Sequence, residues 1–312
     1  MKFLVTGGAG FLGRWLVKKL LDLNHTVIAL DNLSNGSIEN IKEFETNSNF
    51  KFISGDVTKK DELDIVFNSN KIDICIHAAA QINVQESLDH PDRAFKSNIV
   101  GTYNALESCR KNKTKIVLIG TCMVYDLAGG KAINEEHPVV PKSPYAGSKL
   151  AAEELAISYY YGLGLPVVIL RPFNIYGPYQ KTNMEGGVVS VFIKRYLDGQ
   201  DLNIFGDGKQ TRDLLYVEDC ADFVIGAALN DKTTGQTINA GTGKDISVNE
   251  LAALVCPDKN RIKHIPHHHP QAEIPKLLCD SSKAKNLLGW VAKTSLQEGI
   301  KKTMEWMKNN SK

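Results

Sequence analysis

With 312 residues the chain is long enough for a large buried core and for two lobes, and 43% hydrophobic with 23% charged residues is the composition expected of a soluble globular protein. A formal charge of +2, from 37 basic and 35 acidic residues spread along the sequence, excludes the broad basic face that nucleic acid or an anionic membrane requires, so cations for a phosphorylated ligand must be local. The six cysteines (75, 109, 122, 220, 256, 279) form no CxxC pair, no apolar run reaches membrane-spanning length, and the chain opens on a strand pattern with no room for a signal peptide, so a cytoplasmic protein without a disulfide framework is expected.

The first apolar run, 3–5, leads directly into Gly7-Gly8-Ala9-Gly10-Phe11-Leu12-Gly13, and that turn into a helix-patterned stretch, 14–23. Strand, glycine turn and helix in this order set the backbone N–H groups of a helix N-terminus against a pyrophosphate. The glycines at 7, 10 and 13 permit the tight turn, the close approach of the phosphates and the contact of helix on sheet. A second run, 26–30, ends in Asp31. A carboxylate there accepts hydrogen bonds from a ribose 2′-hydroxyl and repels a 2′-phosphate, which predicts NAD rather than NADP. Apolar runs at 50–53, 72–76, 116–119 and 167–170 alternate with stretches of helix length, the pattern of parallel strands covered on both faces. The fold class expected is therefore α/β, a doubly wound parallel sheet of the Rossmann type over residues 1–172.

Beyond Arg171 the texture loosens, with Tyr176-Gly177-Pro178, Glu185-Gly186-Gly187 and Phe205-Gly206-Asp207-Gly208 between short elements. Residues 173–312 are expected to form mainly a smaller substrate-binding lobe, with some segments returning to the first domain and the ligand at the carboxyl ends of the strands.

In Pro144-Tyr145-Ala146-Gly147-Ser148-Lys149 the tyrosine and lysine lie four residues apart at the start of a helix pattern and so share a face. A phenol, of ordinary pKa about 10, becomes more acidic beside an ammonium and an oxidised nicotinamide. The phenolate can then take the proton of a substrate hydroxyl as hydride leaves the same carbon. Alone, the spacing is a common helix turn; behind a dinucleotide turn, and behind a strand ending in Thr121, it reads as an active site.

Thr6 to Gly13, Leu30-Asp31-Asn32-Leu33, Gly55-Asp56-Val57, His77-Ala78-Ala79-Ala80, Asn98, Thr121 to Tyr125, Tyr145-x-x-x-Lys149, Arg171-Pro172-Phe173-Asn174 and Arg212-Asp213 span most of the chain. Together and in this order they resemble the extended short-chain dehydrogenase/reductases, and among these the nucleotide-sugar epimerase/dehydratase family. The resemblance implies NAD held by Gly7, Gly10, Phe11, Leu12, Gly13, Asp31, Asn32, Asp56, Val57, Ala78, Ala79, Ala80, Asn98, Tyr145 and Lys149, with Asp56 and Val57 near the adenine and Asn98 supporting the catalytic helix. It implies catalysis by Thr121, Tyr145 and Lys149, with Thr121 on the sugar hydroxyl being oxidised. It further implies a nucleotide-sugar substrate, a UDP-sugar in particular, bound by Val84, Met123, Asn174, Arg212 and His269, with the diphosphate on Asn174 and Arg212. On residue type alone Arg212 is equally a solvated loop arginine, and Asn174 equally a turn former. A homodimer is implied too, joined by the Tyr145 helix and the preceding helix near 98–110, where Ala94, Ala105, Ala151, Ala152 and Leu155 allow close approach.

Two departures sharpen the reading. Thr121-Cys122-Met123 stands where 4,6-dehydratases of the family resemble Thr-Asp-Glu, the Asp acting as acid toward the 6-hydroxyl and the Glu removing the C5 proton. Met123 cannot remove a proton, and a general base is worth about 10²–10⁴-fold. Oxidation at C4 followed by reduction on the other face, a 4-epimerisation, is therefore favoured. Cys122 is catalytic if its thiol, protonated at neutral pH, stands in as an acid, and otherwise a small residue packed near the nicotinamide. Family members that make exocyclic alkenes resemble this chain in that cysteine but keep a Glu beside it. The alternatives are a 4,6- or 5,6-dehydratase with a base from elsewhere, or a non-catalytic NAD-sensing protein, which Tyr145 and Lys149 speak against. The second departure is His269-Pro270-Gln271-Ala272-Glu273, where relatives commonly show Arg-Pro-Gly-Asp, so a histidine stands at an expected diphosphate contact. His264 and His267 to His269 share a loop without an acidic or cysteine partner, and no metal site is expected.

Overall fold

A computed structural model describes residues 1–182, 187–266 and 274–310. The strands in chain order are β1 (Lys2–Thr6), β2 (Thr26–Asp31), β3 (Phe50–Ser54), β4 (Ile74–His77), β5 (Lys115–Ile119), β6 (Val167–Pro172), β7 (Asn174–Tyr176), β8 (Leu202–Phe205), β9 (Thr211–Tyr216), β10 (Thr237–Ala240), β11 (Asp245–Ser247), β12 (Ile262–Ile265) and β13 (Lys276–Leu277). The helices are α1 (Phe11–Asp22), α2 (Lys60–Ser69), α3 (Val84–Asp89), α4 (Pro91–Ala94), α5 (Gly101–Asn112), α6 (Pro144–Leu163), α7 (Val188–Leu197), α8 (Val217–Leu229), α9 (Val248–Val255), α10 (Ser282–Leu288) and α11 (Leu296–Asn310), with a π-helical turn at Phe95–Val100 before α5. Two compact units result: Met1–Thr121 with Ser143–Arg171 and Ala221–Ile238, and Cys122–Lys142 with Pro172–Cys220 and Asn239–Lys312.

The first unit carries a seven-stranded sheet of order β10-β6-β5-β4-β1-β2-β3. β1 pairs in parallel with β2 on one side (Leu4 opposite Ile28) and with β4 on the other (Leu4 opposite Cys75). The strand order thus reverses at β1, and its carboxyl end, where the glycine turn begins, is the switch point at which such sheets bind ligands. Leu4, Ile28, Ile116 and Leu118 of the strands pack with Leu63 of α2, Leu106 of α5 and Ala152 of α6 in one buried cluster. The strands lie on the apolar runs the sequence marks, because runs covered by helices on both faces leave little choice of register.

Three expectations need correction. β5 stops at Ile119, so Thr121 lies in the loop beyond it rather than at the strand end; Gly120 still donates to Leu170 O (2.6 Å), after which the chain turns into a 3₁₀ turn at Cys122–Val124. Arg212 lies on β9, not in a loop. Of the residues expected to approach a second subunit, Ala94, Ala105 and Ala152 are fully buried within the chain itself, while Ala151 is exposed and Leu155 packs on the edge of the core cluster.

In the second unit β9 pairs antiparallel with β11 and in parallel with β13 and β7. α7, α9 and α11 supply the apolar side chains that close a second core around Tyr176 and Tyr216. Among the described residues no helix is long and apolar enough to cross a membrane.

Candidate active site

The glycine turn is shaped by contacts that leave no room for side chains. Gly7 has φ +69°, and a Cβ there would lie 2.8 Å from the Ala79 nitrogen; a Cβ on Gly13 would overlap the Gly7 carbonyl. Gly10 caps α1 without a side-chain hydrogen bond, so the first N–H groups of the helix are presented to an external acceptor. Phe11 and Leu12 form that first turn. Asp31, 7% exposed at the end of β2, accepts the Ala9 N–H on Oδ2 (3.0 Å) and the Leu33 N–H on Oδ1 (2.8 Å). Asn32 donates to Asp56 Oδ2 (3.1 Å), while the Val57 carbonyl accepts from Asn104 Nδ2 (3.0 Å) on α5. Ala78 and Ala79 donate to Thr6 O (3.2 Å) and Thr6 Oγ1 (3.3 Å), which draws the segment after β4 beside the glycine turn, and Ala80 follows them. This ring of turns fits a dinucleotide: glycines where phosphates approach, a carboxylate at the end of β2, and alanines where a ring would lie.

α6 starts at Ser143, whose hydroxyl accepts the Ala146 N–H, and Pro144 occupies its first position. Tyr145 and Lys149 then fall on its buried face, 8% and 5% exposed. Lys149 Nζ donates to Ile119 O (2.5 Å); burial lowers its pKa to about 8, and the charge of Glu153 partly opposes that fall. Asn98, within the π-helical turn, donates to Gln81 O (3.0 Å) and Ser148 Oγ (2.8 Å), and Ser148 Oγ donates to Tyr145 O (2.8 Å). Asn98 thus ties the segment after β4 to the helix that carries Tyr145 and Lys149.

Sequence reasoning missed two groups here. His77 is buried between Thr6 Oγ1 (2.8 Å from Nδ1) and Thr102 Oγ1 (3.2 Å from Nε2), and burial, with the Lys149 charge, lowers its pKa to about 3. Because Thr102 donates to Asn98 O (2.6 Å) and Thr6 accepts from Ala79, the directions are fixed: Thr6 donates to Nδ1, and Nε2–H donates to Thr102. The other is Glu153, which accepts Arg171 Nε (2.9 Å) and Nη2 (2.7 Å) on one oxygen. Its position four residues after Lys149 was the only signal available in the sequence.

In the second unit Cys122 is 3% exposed, and burial pushes its thiol up to about 12 against the opposing charge of Arg212. Burial thus favours the protonated thiol over the thiolate. Met123, half-buried, follows in the same turn. Arg212 Nη1 donates to Thr211 O and Ile274 O, both at 2.8 Å. The adjacent Asp213 accepts Thr242 N–H and Oγ1, Gly243 N–H and Cys279 N–H. Asn174 opens β7, and its buried Oδ1 makes no hydrogen bond. Val84 opens α3 in the first unit. His269 lies outside the described residues, as do His267 and His268; His264 Nε2 is 2.9 Å from Asn249 Oδ1.

A doubly wound sheet with a glycine turn at its switch point and a Tyr-x-x-x-Lys face on a buried helix defines the extended short-chain dehydrogenase/reductase class. Residues 4–303 match the family model described as GDP-mannose 4,6 dehydratase, and the chain belongs to this family of nucleotide-sugar epimerases and dehydratases. It is similar to Pal from Bacillus thuringiensis, a solved structure with 54% identity, 99% coverage of both chains and a TM-score of 0.97. It is 36% identical to the UDP-glucose 4-epimerase of Mycolicibacterium smegmatis over the full length of both chains. The UDP-glucose 4-epimerase of Thermus thermophilus, solved as a complex with NAD, shares 31% identity with a TM-score of 0.90, covering 99% of this chain and 100% of that one.

Proposed function

We propose that the protein is an NAD-retaining nucleotide-sugar 4-epimerase whose substrate is a UDP-sugar. The observation that carries this reading is Met123 beside Cys122. The turn after β5 holds no carboxylate to remove a C5 proton, while Tyr145 and Lys149 lie together on one buried face of α6. NAD held at the glycine turn and Asp31 would supply the hydride acceptor needed for reversible oxidation at C4.

The remaining work falls to the chain. Tyr145, as phenolate, takes the proton of the C4 hydroxyl and later returns it; Thr121 orients that hydroxyl; Lys149 stabilises the phenolate and binds the nicotinamide ribose. The uncapped N-terminus of α1 holds the pyrophosphate, and Asp31 takes the adenosine ribose. Arg212 and Asn174 supply donors to the substrate diphosphate, Arg212 as a planar fork. Val84 in the first unit and Met123 in the second are each assigned a contact with the sugar.

A second reading, a dehydratase, is favoured by Cys122 alone: a thiol that burial keeps protonated can donate to a leaving hydroxyl. Incubating the purified protein with a panel of nucleotide sugars separates the two. The epimerase gives a product of unchanged mass and inverted C4; loss of one water would overturn it. A cytoplasmic location, in keeping with six free cysteines, and a homodimer through the α5 and α6 faces complete the reading. Phe95 and Tyr103, 55% and 44% exposed on that side, are the side chains a second copy would cover, which sedimentation would test.

A further inference from the structure

Tyr145, Lys149 and Glu153 follow one another at four-residue steps and are all buried on one face of α6. Glu153 is 2% exposed, and a carboxylate so buried stays ionised only where it is paired. Arg171 on β6 is the evident partner. Both its Nε and Nη2 donate to Oε2, where arginine–carboxylate pairs frequently use both oxygens.

The other oxygen, Oε1, makes no hydrogen bond of normal geometry with a side chain and instead lies over Gly120, where a Cβ would overlap it. The Thr121 amide faces the same carboxylate and favours its ionised form, against the burial that raises its pKa. Glu153 therefore touches the backbone immediately preceding Thr121 while standing one helical turn from Lys149.

We infer that Glu153 is a positioning residue of the active site, whose carboxylate, held by Arg171, fixes the Gly120–Thr121 backbone and keeps the Lys149 ammonium charged. This deepens the reading above and rests on it for the roles of Thr121 and Lys149. Glu153 and Tyr145 stand one turn from Lys149 on its own helix, the neutral His77 of β4 feels its charge, and the Ile119 carbonyl of β5 accepts from it. Among the described residues facing Lys149, Glu153 is the carboxylate. Gly120 is forced to be glycine for the same reason: the carboxylate occupies the place of its side chain.

The test uses Glu153→Gln and the double variant Glu153→Gln with Arg171→Gln, which leaves no unpaired buried charge. In the NAD-loaded enzyme, kcat falls about tenfold with KM within twofold, and the alkaline limb of the kcat profile moves down by about one pH unit in both variants, as expected on removing an adjacent opposite charge. In the cofactor-free chain, the Lys149 ammonium, followed by nitrogen NMR, titrates lower by a similar amount. A purely structural Glu153 would lower the melting temperature of the single variant, regain it in the double, and leave the Lys149 titration and pH limb where they were; that outcome overturns the inference. The NMR titration needs no turnover, so it stands apart from the epimerase reading. Failure of the wild type to turn over any nucleotide sugar would count against that reading, whereas an unmoved Lys149 titration counts against this one.

Discussion

Glu153 in the first unit and Asp213 in the second are both buried carboxylates, 2% and 0% exposed, and burial raises the pKa of each. They are answered in opposite ways. Asp213 is met by four neutral donors from Thr242, Gly243 and Cys279, a fastener with nothing to exchange protons with. Glu153 stands between two cations, Arg171 and Lys149, so its charge is felt wherever a proton moves nearby. The difference teaches how each carboxylate is used: Glu153 is placed where charge matters, beside the Tyr145–Lys149 face to which we assign proton transfer, whereas Asp213 fastens backbone next to Arg212.

The sharpest way to break that comparison is Tyr145→Phe. If the first unit moves the proton, turnover falls by about 10³-fold while NAD remains bound, as general acid–base catalysis is worth about 10²–10⁴. Activity within tenfold of wild type, measured at steady state, would remove proton traffic from α6. Next in size is Asp213→Ala, which strands four donors in the second unit. A loss of about 3 kcal/mol or more in denaturant unfolding is expected, with the pH profile of residual activity unmoved. A loss below about 1 kcal/mol would show that Asp213 is not the fastener described.

A smaller effect concerns His77. With its folded pKa near 3, below the ordinary 6.5, the unfolded chain binds an extra proton between those values. The contribution of neutral His77 is thus present above pH 6.5 and is lost as pH falls toward 3, at about 1.4 kcal/mol per unit. His77→Gln should flatten that part of the stability curve, read by chemical unfolding from pH 7 to 4; an unchanged slope would mean the ring is not held neutral. The smallest prediction sharpens the contrast with a third carboxylate. Asp31, held like Asp213 by backbone N–H groups, is the carboxylate we assign to the adenosine ribose; on that assignment NAD should bind at least about tenfold more tightly than NADP, and Asp31→Asn should narrow the gap. Equal binding of the two by the wild type would contradict it.

Much of this was legible in the residues themselves. The strands of the sheet, the glycine turn and the Tyr145–Lys149 face come from local pattern: period, turn chemistry and four-residue spacing act within a few residues of chain. What was not legible depends on partners far apart in sequence. Nothing local says that Glu153 meets Arg171 and Gly120, or that His77 lies between Thr6 and Thr102. Arg212 was misread as a loop residue because β9 needs its pairing with β11, β13 and β7 to exist as a strand. The alanines expected at a subunit contact illustrate the same limit. A small residue permits close approach to any helix, and Ala94, Ala105 and Ala152 use it within their own chain.

The central claim is that one sugar carbon, C4, both loses and regains its hydrogen. Deuterium placed at C4 of an accepted UDP-sugar, with the products followed by NMR and mass spectrometry, tests it most directly. The account predicts that the label stays at C4 in both epimers and that no water is lost. Label appearing at C6 of a 4-keto-6-deoxy product would contradict it.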